Sequence, residues 1–540
     1  MIINFTKLIF VTLSFIGLSN SSIAQEWSKS FSPGNFDSNS KFLGGSEVLQ
    51  LIGHKDKLFA SVGYWEDENN IWYGGTNFGI GWGQIIRLDH STGQWQEDFF
   101  LGASYLRPEV LKQVIFTKDA TGNLLSTPDT ILIAAGYSPN FITNKVTVKS
   151  FARNDNSGDW GESQIIQGSF PPDENYSIRD IEVYTDQVTG IERVYASVGT
   201  QGLFAGKYNQ SNIGKIDWIP TPEIGPLSIR PLGITNANNT LYFSSGNKLY
   251  RRNDGAAPTY TIAHDFSDLS TNINSAVGGV RGLTTIKNPN GNDEALLLMW
   301  CPNGQSQGII YRLEPDGAGG FNRIYETKLS ILVEDYLLGI NVNYLLGAYN
   351  EFYEFVDPIT NDTVHLIGFE ANITGGGHPT WNSYYSGGLF AKRDANMQYA
   401  IEEINGSIEA NDTALVATRC YVKSPFENED AIYFGGFDPN SKTATNMAWI
   451  YNKRYQTTSA NEQFQDEIDI IVYPNPATNR LNVKVKTNKV IKYEIISVLG
   501  ETILSGFIGL GNHGIDISQL ASNIYFIRIE DQIIKFMKIK

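Results

Sequence analysis

Four arginines occupy the same position in four similar apolar segments and are well suited to binding an anion. The segments read SIRDIEV, SIRPLGI, GVRGLTT and ATRCYVK, which places Arg179, Arg230, Arg281 and Arg419 in one phase. A guanidinium group presents a planar fork of donors that matches carboxylate, sulfate or phosphate. If the segments are equivalent strands of a repeat, their arginines converge. The pattern therefore predicts a ligand-binding site for an acidic group, such as that of an acidic polysaccharide.

A structural role is the alternative for these arginines. Alignment of the other repeats places Glu47, Glu109 and Asn343 at the equivalent positions. The arginines would then bridge to the two glutamates and to backbone carbonyls, and this ring of charges would hold the repeats together. Four cations against two acids leave positive charge over, so both interpretations stay open.

A second group of candidate residues lies in the segment TGGGHPTWNSYYSGG. Its glycines indicate a loop that presents the imidazole of His378 and the rings of Trp381, Tyr384 and Tyr385. Trp381 is a candidate for stacking on a sugar ring. His378 or Tyr385 could abstract the proton α to a uronate carboxylate while arginine neutralises that group, which is the chemistry of a polysaccharide lyase. The alternative is a purely structural loop. The lyase requires His378 and the arginines on one face.

A third segment, residues 63–83, reads GYWEDENNIWYGGTNFGIGWG and is rich in aromatic and acidic side chains. Long insertions between strands lie on the surface and commonly carry binding residues. Trp65 and Trp72 therefore predict a carbohydrate platform, and a calcium ion on the acidic residues 66–68 is an added hypothesis. The alternative is an insertion whose aromatic side chains pack against the rim of the fold.

Other chemistries have little support in the sequence. None of the six histidines falls in an HxH or HExxH arrangement, so no metal site is predicted, and calcium is the sole cofactor hypothesis. The chain before residue 456 has no GxSxG, phosphate-binding loop or dinucleotide fingerprint. With 57 acidic against 41 basic residues, the net charge of −16 disfavours nucleic acid as a partner. Cys301 and Cys420 are predicted to be separate buried thiols, with a disulfide as the alternative.

The elements that carry these residues belong to a sevenfold repeat. In each copy an apolar strand runs into a small or polar turn, and a second apolar and aromatic strand follows. The first strands start 73, 63, 47, 55, 68 and 68 residues apart, at Lys57, Thr130, Arg193, Thr240, Ala295, Thr363 and Ala431. Short strands at a long period indicate radial repetition, which buries each sheet against the next. Because another apolar strand precedes each pair, the pattern predicts an all-β fold with a seven-bladed β-propeller.

The seventh repeat lacks a fourth strand after MAWIYNK. We expect a strand from the N-terminal segment near Trp27–Phe36 to complete this sheet and close the ring. The polar run at residues 456–469 predicts a linker.

The last seventy residues carry an ordered set of motifs. A Tyr473-Pro474-Asn475-Pro476 opening precedes an alternating strand, a second strand ends in Leu-Gly at Gly500, and a Tyr-Phe-Ile-Arg-Ile strand with a basic tail closes the chain. This segment, residues 470–540, resembles the type A C-terminal sorting domain of the type IX secretion system. The resemblance implies a small Ig-like β-sandwich, the type IX translocon and its sorting machinery as partners, and a sorting motif formed by these residues. It also implies a protein that is secreted or attached to the outer-membrane surface, by way of the periplasm.

The N-terminus agrees with export. Lys7 precedes an apolar run, and Ser22-Ile23-Ala24 supplies small residues for cleavage, so residues 1–24 are predicted to be a signal peptide. No later segment reaches the roughly 18 apolar residues that a membrane span needs. The predicted domains are the propeller at 25–455, the linker at 456–469 and the sorting domain at 470–540.

Two functions of different class follow. The first is a noncatalytic module that binds a glycan or a surface protein through one face of the propeller. The alternative is an extracellular lyase acting on an acidic, uronate-containing polymer.

Overall fold

The computed structural model describes two compact units, Ser22–Thr457 and a second that contains Thr458–Lys540. The described residues are 23–64, 83–102, 104–140, 143–169, 176–274, 278–374, 384–404, 415–427, 429–439, 446–457, 470–485, 491–497, 500–508, 511–529 and 532–540. No helix among them is long and apolar enough to cross a membrane.

The first unit is a seven-bladed β-propeller of four-stranded antiparallel sheets, as the repeat predicts. Blade one comprises Glu47–His54, Lys57–Gly63, Gln84–Leu88 and Gln96–Phe100 from the inside outward, and blade two comprises Val110–Lys118, Leu124–Asn140, Lys145–Arg153 and Trp160–Ser169. Blade three comprises Ile178–Thr185, Glu192–Val198, Gly202–Tyr208 and Ile216–Trp218, and blade four comprises Pro231–Ala237, Thr240–Ser245, Lys248–Asn253 and Thr259–Asp265.

The inner strand of blade six is interrupted. Blade five comprises Gly279–Lys287, Glu294–Cys301, Ile309–Pro315 and Phe321–Lys328. In blade six, Val342–Gly347 and Tyr353–Val356 both pair with Thr363–Ile373, and Leu389–Arg393 and Tyr399–Glu403 follow. Blade seven comprises Ala417–Lys423, Ala431–Phe437, Ala448–Thr457 and the N-terminal strand Ile23–Phe31. The shorter elements are the strands Asn35–Phe36, Phe42–Leu43 and Gln305–Ser306, the 3-10 turn Gly199–Gln201 and the helix Leu329–Tyr336.

The N-terminal strand closes the ring, which confirms the expected origin of the missing strand. Ile23–Phe31 pairs antiparallel with Ala448–Thr457, so Trp27 lies opposite Lys453. The Trp27 ring contacts Phe434 with 4.9 Å between centroids. The strand begins and ends a few residues earlier than the predicted Trp27–Phe36.

Each blade is buried on both faces, which explains the unbroken apolar strands of the sequence. In the strand Glu294–Cys301 every residue after the first is buried. Leu297 and Met299 pack towards blade six, whereas Leu296 and Leu298 pack towards blade four. Because successive side chains of a strand point to opposite faces, a strand between two neighbouring blades needs apolar residues at every position.

The second unit is a β-sandwich. Its three-stranded sheet comprises Ile470–Tyr473, Arg480–Val485 and Gly511–Asp516. Its four-stranded sheet comprises Ile491–Ser497, Thr502–Ile508, Asn523–Ile529 and Gln532–Lys538. Apolar side chains from both sheets form one core, among them Leu481, Val483, Ile495, Ile527 and Phe536.

Candidate functional site

The four phased arginines all lie at the beginning of inner strands. Arg179, Arg281 and Arg419 are the second or third residues of their strands, and Arg230 directly precedes Pro231. Inner strands surround the axis of a propeller, so these starts bring the side chains together at one level of the central channel.

Tyr349 lies at the centre of the arginines. The guanidinium carbons of Arg281, Arg179 and Arg230 lie 4.2, 4.6 and 5.6 Å from the centroid of its ring. Its hydroxyl oxygen accepts hydrogen bonds from Nη2 of Arg230 at 3.1 Å and from Nη2 of Arg281 at 3.2 Å. We refer to Tyr349 and the four arginines as the arginine cluster.

The predicted position for blade six was wrong. Asn343 is exposed and donates to Oδ1 of Asn372 at 2.9 Å, away from the channel. Tyr349 takes the central position because it lies between the two pieces of the interrupted inner strand. The extra residues between the two pieces of the strand change which residue reaches the channel axis. An alignment that assumes regular repeats does not detect this change.

Glu47 and Glu109 do lie at the arginine level, where Arg107 pairs with both. Its Nη1 donates to Oε1 of Glu47 at 2.6 Å, and its Nε lies 3.3 Å from Oε1 of Glu109. Arg419 adds ion pairs to Glu47 at 3.3 Å and to Glu370 at 3.8 Å. Part of the cluster is therefore the predicted charge ring, although Arg107 and Glu370 were not foreseen.

Arg179 and Arg230 have no carboxylate partner within the part of the chain that the structure describes. Arg179 forms neither an ion pair nor a side-chain hydrogen bond there, and its Nε is buried without a partner, as are Nε of Arg230 and Nε of Arg419. Burial, together with the neighbouring Arg230, lowers the pKa of Arg179 to about 9. The cluster is thus positively charged beyond what its glutamates neutralise.

Two acidic groups near the arginines have pKa values close to 7. Burial alone would raise the pKa of Tyr349, but the surrounding charges of Arg281, Arg230, Arg179 and Arg419 lower it to about 7. Burial raises the pKa of Glu370 to about 7, against the opposing effect of Arg419.

A pocket of about 210 Å³ extends from the arginine cluster along the channel. Arg179, Arg419 and Tyr349 line one end of it. Lys112 lies at the other end, where its Nζ pairs with Asp180 at 3.2 Å, Glu182 at 3.0 Å and Glu351 at 2.9 Å. Between the two ends, Gln50 and Asn350 face the pocket and are hydrogen-bonded to each other at 2.9 Å.

Tyr385 lies away from this channel. Its hydroxyl is 3.4 Å from Oε1 of Glu403, which belongs to the outermost strand of blade six. His378 and Trp381 fall outside the described residues, as do Trp65 and Trp72.

Among the described residues, no group of three or more His, Cys, Asp or Glu side chains is placed to hold a metal ion. The acidic residues 66–68 of the calcium hypothesis lie outside that part of the chain. Cys301 and Cys420 are free, buried thiols, which confirms the preferred interpretation.

In the tail, the opening motif is hydrogen-bonded to the last strand of the sandwich. Asn475 donates from Nδ2 to the carbonyl of Lys535 at 3.1 Å and accepts from the amide of Met537 at 2.9 Å. Gly500 has a φ of +86° in the turn after Ile491–Ser497, a conformation that favours glycine. The opening motif is thus bonded to the last strand.

A family model described as the Secretion system C-terminal sorting domain matches residues 471–539. These residues are a type IX sorting domain. The protein is therefore exported through the periplasm to the cell surface or beyond. Export implies that the tail engages the type IX secretion machinery. A comparison of the sequence with curated proteins finds no match.

Solved structures resemble the chain only weakly. The α-L-arabinanase of Penicillium chrysogenum is 12% identical over 65% of this chain and 94% of its own, with a TM-score of 0.35. PorZ, a surface component of the type IX secretion system of Porphyromonas gingivalis, is 11% identical over 92% and 82%, with a TM-score of 0.28. Sqt1 of Chaetomium thermophilum is 8% identical over 81% and 100%, with a TM-score of 0.36. Scores this low carry no argument about activity, substrate or partner.

Proposed function

We propose that the exported propeller is a noncatalytic binding module for an acidic glycan, whose anionic group binds to the arginine cluster. The observation that carries the proposal is Arg179, a largely buried guanidinium that has no carboxylate within ion-pair distance among the described residues and lines a pocket. A buried charge without a partner destabilises the native state by several kcal/mol. A carboxylate or sulfate of a ligand would supply the missing charge.

The other walls of the pocket favour a glycan over a wholly apolar ligand. Gln50 and Asn350 offer amide groups, and the ion pair of Lys112 and Asp180 makes the same wall polar. Hydroxyl groups can donate and accept at the same time, so a sugar unit can satisfy both kinds of group. An acidic side chain of a surface protein is the remaining ligand that this chemistry suits.

A lyase is the second candidate, and Tyr349 is the observation that favours it. A tyrosine with a pKa of about 7 beside arginines is suited to act as a general base next to a bound carboxylate. The phenolate would take the proton α to the uronate carboxylate. The C4–O bond would then break, and the proton now held by Tyr349 or one from water would pass to the leaving oxygen, which leaves an unsaturated uronate.

One experiment separates the two candidates. The full chain is incubated with a panel of acidic polysaccharides and a neutral one, while calorimetry follows binding and ultraviolet absorbance follows unsaturated uronate. Binding of an acidic polymer without new absorbance supports the binding module. Absorbance that is lost in Tyr349→Phe supports the lyase, and a chain that neither binds nor cleaves any polymer contradicts both.

The variants test the assignment of the site. Arg179→Gln should weaken binding at least tenfold. Arg193 lies in the same blade but outside the pocket. The control variant Arg193→Gln should therefore bind the polymer with the affinity of the unchanged protein. Equal affinity in both variants would remove the arginine cluster from the proposal.

A further inference from the structure

We propose that the channel pocket recognises a single sugar acid, either free or at the end of a glycan chain, and not the internal units of a polymer. This inference rests on the proposed function and narrows its ligand to one terminal unit.

The depth of the arginine cluster is the first argument. Arg230 and Arg281 are only 5% and 1% exposed, whereas Arg179 and Tyr349 are partly exposed and line the pocket. A ligand group reaches the unpaired guanidinium of Arg179 by entering this pocket.

The walls of the pocket are the second argument. Its lining residues come from the inner strands of blades one, two, three and seven and from the interrupted strand of blade six. These strands surround the axis, so the pocket is enclosed sideways. An internal unit of a polymer has neighbours on both sides and needs a groove that is open at two ends. A chain end or a free monosaccharide needs only one opening.

The mouth of the pocket lies at the Lys112 level. The side chains of Glu351 and Lys112 are 44% and 25% exposed, whereas Arg419 at the inner end is 9% exposed. Lys112, Asp180 and Glu351 each follow the arginine level along their own inner segments, so the mouth lies towards the ends of the inner strands.

The chemistry along the pocket fits one sugar acid. At the inner end, Nε of Arg179 and Nε of Arg419 are buried without a hydrogen-bond acceptor, and Arg419 is 9% exposed. A carboxylate at this end of the pocket would be attracted by the positive charges of both guanidinium groups. Between this end and the mouth, the amide groups of Gln50 and Asn350 can bond hydroxyl groups. A volume of about 210 Å³ is smaller than the roughly 300–1,000 Å³ of sites for drug-sized ligands, which favours a single unit.

Calorimetry on the full chain tests this ligand with a matched pair of probes. D-Glucuronate and D-glucose share the ring and differ in a carboxylate against a CH2OH group. We expect one glucuronate to bind per chain and glucose to bind at least tenfold more weakly. Arg179→Gln should abolish the difference, and Arg193→Gln should preserve it. Equal affinity for the two sugars would overturn the inference.

Chain length then separates a free acid from a chain end. A polyuronate and its short oligomers are compared at equal uronate concentration. Recognition of ends predicts that apparent affinity per uronate rises with the number of ends. Binding of glucuronate alone supports the pocket with a free acid as its ligand.

Two outcomes contradict the inference in different ways. If long and short chains bind equally per uronate while glucuronate does not bind, internal units are recognised, and the inference is wrong although the proposed function stands. If neither the sugars nor the chains bind, both are wrong.

Discussion

Two arginines of the channel, Arg107 and Arg179, have opposite effects on the stability of the folded protein. Arg107 is buried between Glu47 and Glu109, and burial is offset there by close ion pairs. Arg179 has no such partner in the described structure. A protein that keeps an unpaired, largely buried charge loses stability through it, so the two arginines should respond to the same substitution in opposite directions.

Replacement of each arginine by methionine tests this contrast. Arg179→Met removes an uncompensated charge and should raise the free energy of unfolding by about 1 kcal/mol or more. Arg107→Met removes the ion-pair partner of the buried Glu109 and one of the two partners of the buried Glu47, and it should lower the free energy of unfolding by about 3–5 kcal/mol. Urea unfolding followed by tryptophan fluorescence reports on the propeller, because residues 456–540 contain no tryptophan. A loss of stability in both variants would mean that Arg179 has a partner in the native protein.

Tyr349 should ionise near neutral pH. In the unfolded chain a tyrosine keeps its proton up to about pH 10. Since the pKa of Tyr349 is about 7 in the folded protein, the unfolded state binds more protons between these values, and the folded state gains stability as the pH rises. Relative to Tyr349→Phe, the unfolding free energy should increase with a slope of up to about 1.4 kcal/mol per pH unit between pH 7 and 10.

The ultraviolet difference spectrum gives an independent measurement of the same group. One tyrosine should ionise around pH 7 in the native protein, and that signal should be missing in Tyr349→Phe. A parallel pH dependence of stability in the two proteins, with no tyrosinate signal below pH 9, would contradict the prediction.

At the scale of the elements, the third strands hold neighbouring blades together through buried ion pairs. Arg312 and Arg393, on the third strands of blades five and six, share the carboxylate of Glu326 on the outer strand between them. Tyr399 donates to the same carboxylate at 2.6 Å. Asp98 has the same position between Arg87 and Arg153 of blades one and two.

Glu326→Gln should destabilise the propeller by about 3–5 kcal/mol, because it removes the carboxylate that Arg393 pairs with and leaves Arg312 with Glu314 alone. Burial opposes the charge of Glu326, yet Arg393, Tyr399 and Arg312 lower its pKa, so the stabilisation is lost as the pH falls through that value. Glu162→Gln is the control, since Glu162 is 55% exposed and pairs with Lys149 at 2.7 Å. A surface pair of this kind contributes about 0–1 kcal/mol. Equal effects in urea unfolding would refute the distinction.

At the scale of the whole molecule, one strand joins the two ends of the propeller sequence. Ile23–Phe31 comes before the first blade in sequence but is the outermost strand of blade seven. Phe31 is buried and packs against Trp95 of blade one with 6.0 Å between centroids. Blade seven without this strand would have an unpaired edge in Ala448–Thr457.

Truncation tests the closure of the ring. A chain that begins at Ser32 should lose the single cooperative transition of the propeller in urea, because blades seven and one are no longer joined by that strand. A chain that begins at Gln25, the predicted start after signal cleavage, keeps most of the strand and serves as the control. Coincident unfolding curves for the two chains would show that closure does not depend on it.

How much could be predicted from the sequence differs between the fold and the site. Strands such as Ala295–Cys301 are apolar at every position because both faces of a blade are buried, and seven such copies predict the propeller. The convergence of Arg179, Arg230, Arg281 and Arg419 followed from the same repeat. Apart from the pair of Arg419 with Glu47, the partners of these arginines did not follow, since contacts in the channel join different blades, as do those of Tyr349 with Arg281 and Arg230.

The sequence by itself determined the number of blades, the phase of the four arginines and the sorting tail, because each depends on a pattern within a short segment. Only the tertiary structure decided that Tyr349 lies among the arginines, that Arg107 forms ion pairs with Glu47 and Glu109, and that Tyr385 contacts an outer strand. An interruption in one inner strand changes which residue reaches the axis, and no local pattern records that change. The charge balance of the channel depends on this choice, and with it the ligand that the pocket can hold.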